Sequence, residues 1–163
     1  CHDEVIAALY EASSAGVQID LIVRGICCLR AGLPGVSENI RVRSIVGNFL
    51  EHSRIFFFEN AGKPEYYCSS ADWMPRNLER RVEILFPIVH EGGKEKLRHI
   101  LEAELGETEK AHLLEADDTY SSVDRRGKKP LNSQRLFGEE ARAAAAVRSE
   151  ADTRVFEPLT GVD

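Results

Sequence analysis

The chain has 163 residues, 43% of them hydrophobic, which is enough for one domain with a core of its own. Six Pro and twelve Gly exclude a wholly disordered chain, and no apolar run approaches the roughly 18 residues of a membrane helix. A formal net charge of −6 excludes a surface built to coat polyanions.

The start, Cys1-His2-Asp3-Glu4, carries neither Met nor a signal-peptide pattern, and reads as a piece of a longer protein. Val5, Ile6, Leu9 and Ala12 fall at helical spacing and predict a helix over 3–15, stopped by Gly16. Val17–Val23 is β-branched and alternating, a predicted strand with Arg24-Gly25 at its carboxyl end, where open α/β sheets place ligands. Arg30–Glu38, with Gly32, Pro34 and Gly35, reads as a loop. Ile40–Val46 predicts a strand with Arg41 and Arg43 on one face and Ile40 and Val42 on the other. Val46–Glu51 is expected as a short helix delivering His52.

Arg54–Glu59 and Tyr66–Ser69 predict two strands of a hairpin, turned by Asn60–Pro64. Arg81–Val89 predicts another strand. Gly93 is expected to break the chain before a helix over 94–105, striped by Leu97, Ile100, Leu101 and Leu105. Residues 111–123 carry no clear period. Asp124–Pro130 is a basic turn, Glu139–Ala151 an Ala-rich exposed helix, and the last ten residues are expected to be loose. The domain boundary is placed at 123, with 124–163 as a helical or partly disordered extension.

The chemistry concentrates in one segment. Between Arg24 and Arg81 nine Lys and Arg, eight of them Arg, stand against six Asp and Glu, so the rest of the chain holds the negative charge. Arginine forks suit phosphate oxygens. His52 and Arg54 lie two apart and share a face if a strand begins there. The second hairpin strand then brings the Ser69-Ser70-Ala71-Asp72 turn within reach, with hydroxyls for a phosphoryl group and a carboxylate to orient the imidazole. A surface histidine beside a strand-end arginine is the plainer reading of His52 and Arg54. An ion pair is the plainer reading of Arg24, and a solvated face that of Arg41 and Arg43. Trp73 and Met74 are expected in the core, and His90, His99 and His112 on the surface. Four Cys without metal-ligand spacing read as reduced thiols. Nucleic-acid binding is not expected, because the arginines are not interleaved with exposed aromatics.

The runs Leu9–Leu29 (LYEASSAGVQIDLIVRGICCL), Leu33–Gly47 (LPGVSENIRVRSIVG), Phe49–Ile55 (FLEHSRI) and Ser69–Glu83 (SSADWMPRNLERRVE) together resemble the C-terminal region of bacterial polyphosphate kinase. That resemblance implies an α/β, phospholipase-D-like domain, a mixed β-sheet flanked by α-helices, and the last domain of a multidomain chain. The phospholipase D pattern is His-x-Lys followed by Gly-Ser-x-Asn. Here it stands as His52-Ser53-Arg54 and Ser69-Ser70-Ala71-Asp72, departures that argue against phosphodiesterase chemistry.

The resemblance implies reversible transfer of the terminal phosphate of ATP to inorganic polyphosphate through a phosphohistidine on another domain. It implies Mg²⁺ held mainly by other domains, with no metal ligand in this chain. Arg24 and His52 match positions that contact ATP phosphates, with proton donation a further role open to His52. Arg54, Arg41, Arg43, Ser69, Ser70 and Asp72 complete the expected phosphate-binding set. The expected partners are ATP or ADP, polyphosphate, the other domains of the same polypeptide, and further copies of it in a homo-oligomer. The expected compartment is cytoplasmic, with peripheral attachment to the inner membrane as an option. A phosphate-binding or assembly module without chemistry of its own is the alternative.

Overall fold

The structure is a computed structural model that describes residues 1–149. Helix α1 (Asp3–Ser14) places Ile6, Leu9, Tyr10 and Ser13 on one face, the i, i+3, i+4, i+7 stripe that a one-sided helix needs. It ends in a Schellman turn: Gly16 N–H donates to Ser13 O, Val17 N–H to Ala12 O, and Gly16 takes φ +90°. The predicted stop is where the sequence puts it.

The first sheet contains β1 (Ile19–Ile22), β2 (Ile40–Ile45), β6 (Ala111–Leu114) and β7 (Tyr120–Ser122) in the order β1-β2-β6-β7. It is mixed: β1 and β2 are parallel, while β6 and β7 run antiparallel to their neighbours. Ile40 and Val42 are each 2% exposed and join Leu29 and Ala31 in the core, with Ile6, Leu9, Tyr10, Ile19, Leu21 and Val23 packed against them. The alternation read from Ile40–Val46 therefore holds, and Arg41 points outward.

The second sheet is an antiparallel meander of β3 (Ile55–Phe58), β4 (Glu65–Ser69) and β5 (Leu85–Pro87), order β3-β4-β5. Its β3–β4 turn puts Asn60, Ala61 and Gly62 all at positive φ. The short helix α2 (Pro75–Leu78) opens on a proline at its first position. Helix α3 (Glu91–Leu105) follows β5, and α4 (Ser133–Ser149) closes the described chain. All four cysteines are free thiols. Among the described residues no helix is long and apolar enough to cross a membrane.

Four expectations are corrected and one open stretch, 111–123, is settled. Val46–Glu51 is not a helix but an irregular segment. Helix α3 does not wait for Gly93 but begins at Glu91. The 111–123 stretch resolves into the β6–β7 hairpin, turned by Asp118 at φ 66° with Asp117 Oδ1 accepting from Thr119 N–H and Oγ–H. Helix α4 starts six residues before Glu139, where Asn132 Oδ1 accepts from Arg135 N–H as an N-cap. Ala151 and the last ten residues lie outside the described residues. Trp73 is half-buried, stacked on Phe56 at 5.3 Å, and Met74 is exposed, so neither plugs the core.

Candidate functional site

Strand β1 ends by donating Val23 N–H to Arg43 O, and the next residue, Arg24, leaves the sheet at its carboxyl end. Its guanidinium meets three groups from distant parts of the chain. Nη2 donates to both oxygens of Asp72 at 3.1 Å. Nη1 donates to Glu51 O and faces His52 Nδ1 at 3.3 Å. Arg54, leading into β3, donates Nε–H to Asp72 Oδ1 at 3.0 Å and Nη1–H to His52 O at 2.9 Å. Ser69 N–H donates to Arg54 O, which fixes the hairpin partner so that Asp72 arrives three residues later.

One carboxylate is thus shared by two guanidinium groups. The Arg54 hydrogen bond, which outweighs the cost of partial burial, and the charge of Arg24 hold the Asp72 carboxyl below its usual range. Two cations against one anion leave one positive charge in excess. The side chains of Arg24, Arg54 and Asp72 are 30%, 24% and 24% exposed, so solvent and an anion can reach them. Arg24 Nε and Arg54 Nη2 have no partner among the described residues and remain open donors. The Arg24 contact can be a hydrogen bond only if His52 Nδ1 is unprotonated. That tautomer leaves the exposed ring a donor at Nε2.

The expected set is not gathered whole. Arg24, His52, Arg54 and Asp72 come together, but Asp72 braces the arginines instead of orienting the imidazole. Ser69 Oγ donates to Ile84 O at 2.9 Å, and Ser70 Oγ donates to Glu83 while accepting from Ile84 N–H. Both hydroxyls tie the turn to the approach to β5. Arg41 pairs with Asp20 at 2.9 Å on the exposed face of the parallel strands. Arg43 donates to Glu104 O and Leu105 O at the carboxyl end of α3, where its charge opposes the helix dipole. Burial, its leading cause, lowers the Arg43 pKa from the ordinary value.

No group of three His, Cys, Asp or Glu side chains among the described residues is arranged to hold a metal ion. The one carboxylate of the cluster is already claimed by two guanidinium groups, so these residues do not fit Mg²⁺.

Sequence reasoning missed the residues that hold the cluster's floor. Gln134, in the first turn of α4, accepts from Phe49 N–H at 3.0 Å and donates Nε2–H to Phe49 O at 2.8 Å and Glu51 Oε1 at 2.7 Å. Helix α4 is seated by Glu107, 1% exposed, whose carboxylate accepts from Ser133 N–H and Oγ–H, Glu109 N–H and Lys110 N–H. Burial alone would push that carboxyl up; the four hydrogen bonds prevail and hold it below its ordinary value. The sequence offers no local signal for the Glu107–Ser133 and Gln134–Phe49 contacts, whose partners lie 26 and 85 positions apart.

The mixed α/β domain is of the phospholipase-D-like class, on the strength of its likeness to a solved structure. It superposes with a TM-score of 0.82 on the crystal structure of polyphosphate kinase from Porphyromonas gingivalis, at 41% identity over 89% of this chain and 22% of that one. Of the three residues that depart from the phospholipase D pattern, Ser69, Arg54 and Asp72, the last two are each other's partners.

The family model of polyphosphate kinase C-terminal domain 2 matches residues 1–134, and the chain belongs to that family. A polyphosphate kinase of Lactiplantibacillus plantarum is 52% identical over 141 residues, 86% of this chain and 20% of the relative. One from Thermosynechococcus vestitus is 59% identical over 117 residues, 72% of this chain and 16% of the relative. The chain therefore spans about a fifth or less of the length of these relatives.

Proposed function

We propose that this domain supplies one wall of the active site of a polyphosphate kinase, which transfers the terminal phosphate of ATP reversibly to inorganic polyphosphate. The observation that carries the reading is the guanidinium of Arg24, fixed by Asp72, Glu51 O and His52, with its Nε–H left open and Arg54, bound to the same Asp72, keeping Nη2 open as well. Phosphoryl transfer asks little covalent work of the protein and much positioning and positive charge. Donors held in place before the reaction lose no energy to reorganisation when charge develops on the transferring group. Arg24 binds and neutralises phosphate oxygens, Arg54 adds a second fork, and His52 offers Nε2–H to a phosphate oxygen. Proton donation by His52 requires the imidazolium, protonated at Nδ1, and so a ring that has given up the Arg24 hydrogen bond.

The phosphohistidine and the Mg²⁺ belong to other domains on this reading. The domain comprises residues 1–123 and 124–163 form an extension of it. The compartment is cytoplasmic, and the complete polypeptide works as a homo-oligomer.

The test is His52→Ala in the polyphosphate kinase polypeptide that contains this domain. A rate falling about a hundredfold with the melting temperature unchanged supports the reading; wild-type turnover overturns the catalytic part. The 163-residue chain alone is expected to make no polyphosphate from ATP, and robust turnover would contradict a divided site. A second reading, an assembly module, is favoured by Ile26, Phe49 and Leu50, which stand 84%, 73% and 66% exposed near Arg24 and His52 in sequence. It predicts wild-type rates for His52→Ala and lost oligomers when Phe49 and Leu50 are made polar.

A further inference from the structure

We propose that Gln134 is a positioning residue for the phosphate-binding cluster, an inference that rests on the function proposed above. The segment between β2 and β3 carries Glu51 and His52, yet it belongs to neither sheet and to no helix. A segment of that kind is mobile unless its backbone groups find partners elsewhere. Here one side chain provides them. The Gln134 amide pairs with both the N–H and the C=O of Phe49, as a strand neighbour would, and its Nε2 also reaches the Glu51 carboxylate.

The next link is the Glu51 carbonyl, which accepts from Arg24 Nη1, the same nitrogen that faces His52 Nδ1. Gln134 therefore sets where the Glu51 carbonyl lies, and that carbonyl helps to set the plane of the Arg24 guanidinium. Two features make the clamp rigid. Gln134 sits in the first turn of α4, anchored one residue earlier by Glu107 through Ser133 N–H and Oγ–H. Gly47 lies directly under the amide, and a Cβ there would run into Gln134 Oε1 and Cδ. Gln134 does not touch Arg24 or His52; it acts through residues 49–51.

Misplacing a binding group by about 1 Å costs on the order of a hundredfold in rate when geometry governs the step. An indirect clamp is expected to cost less, about tenfold. The experiment is a double-mutant cycle in the complete polyphosphate kinase polypeptide: wild type, Gln134→Ala, Arg24→Ala and both, with kcat, KM for ATP and melting temperature measured for each. If Gln134 acts through Arg24, Gln134→Ala lowers kcat/KM about tenfold at an unchanged melting temperature. The double variant is then no slower than Arg24→Ala. Losses that multiply, or a Gln134→Ala enzyme at the wild-type rate beside a crippled Arg24→Ala enzyme, overturn the inference and leave the functional reading standing. Wild-type turnover by Arg24→Ala overturns both.

If Gln134→Ala does not fold, Gln134→Glu keeps the acceptor for Phe49 N–H but sets a second carboxylate against Glu51. It is expected to lose about tenfold, most of it regained when Glu51→Gln returns a donor to the pair. A loss that Glu51→Gln does not relieve overturns the proposal.

Discussion

Two carboxylates of this domain each gather several donors, to opposite ends. Asp72 is bound by two side chains, Arg24 and Arg54, in a cluster about a quarter exposed. Glu107 is bound mostly by backbone N–H groups and one hydroxyl, and is 1% exposed. The donors of Asp72 are charged, flexible and carry spare N–H groups, so an incoming anion can bind alongside it or compete with it. The donors of Glu107 are neutral and fixed by the chain itself, and the desolvated carboxylate has nothing to exchange with. The first arrangement makes a site and the second makes a joint, and Gln134 connects them.

The comparison is broken most severely at Arg24. Arg24→Ala in the complete kinase polypeptide is expected to lower kcat about a thousandfold, because an arginine on a transferring phosphoryl group carries that order of effect. Folding should be little affected, since the side chain is 30% exposed. Steady-state kinetics with a melting curve checks it, and a loss under tenfold would place Arg24 outside the chemistry.

Glu107→Ala tests the other side. Removing the buried carboxylate strands the N–H groups of Ser133, Glu109 and Lys110 and unseats α4, at a cost of about 3–4 kcal/mol. Urea denaturation of the chain reads it, and a cost below about 1 kcal/mol would show that water replaces the carboxylate.

Glu104 sharpens the contrast through pH. Burial, with the charge of Glu51 adding to it, pushes its carboxyl from the ordinary 4.5 up to about 7. Below pH 4.5 the group is protonated folded and unfolded and contributes nothing. Between there and pH 7 the unfolded chain releases the proton while the folded one retains it, so stability falls as pH rises. Above pH 7 the penalty stays at its full size. Glu104→Gln is therefore expected to stabilise the domain by about 3 kcal/mol at pH 8 and by nothing at pH 4. Denaturant midpoints at the two pH values measure this, and an equal gain at both would remove ionisation as the cause.

Much of this was legible in the chain. The apolar strand before Arg24, the β3–β4 hairpin and the approach of Asp72 to His52 and Arg54 follow from short-range pattern, because strand ends and tight hairpins set their own geometry, whereas pattern groups Arg24 with Arg41 and Arg43 and only the family resemblance sets it beside His52. The failures share a cause: a distant neighbour decides. Val46, Phe49 and Leu50 fall at helical spacing, but Phe49 gives both its backbone groups to Gln134 and has none for a helical ladder. Gly93 read as a break, yet it lies in the first turn of α3 because a Cβ there would come within 2.8 Å of Ile88 Cγ2. Ser69 and Ser70 look like phosphate ligands until Glu83 and Ile84 claim their hydroxyls. The joint at Glu107 was invisible for the same reason.

The smallest expected effect falls between the two regions, at Gly47. Its backbone needs no left-handed conformation, so alanine there adds no strain of φ. What it adds is a methyl group in the space of the Gln134 amide, the overpacking of a tight site, which costs about 1 kcal/mol when a flexible side chain can yield. Gln134 is such a side chain, and if it yields it gives up Phe49 and Glu51. Gly47→Ala should therefore lower the melting temperature slightly and kcat/KM by about three- to fivefold, through the same route as Gln134→Ala. Combined with Gln134→Ala, the methyl group meets nothing and its kinetic effect should vanish. A Gly47→Ala penalty that survives in the Gln134→Ala background would mean that residues 47–52 are held by their own packing, and that joint and site are independent.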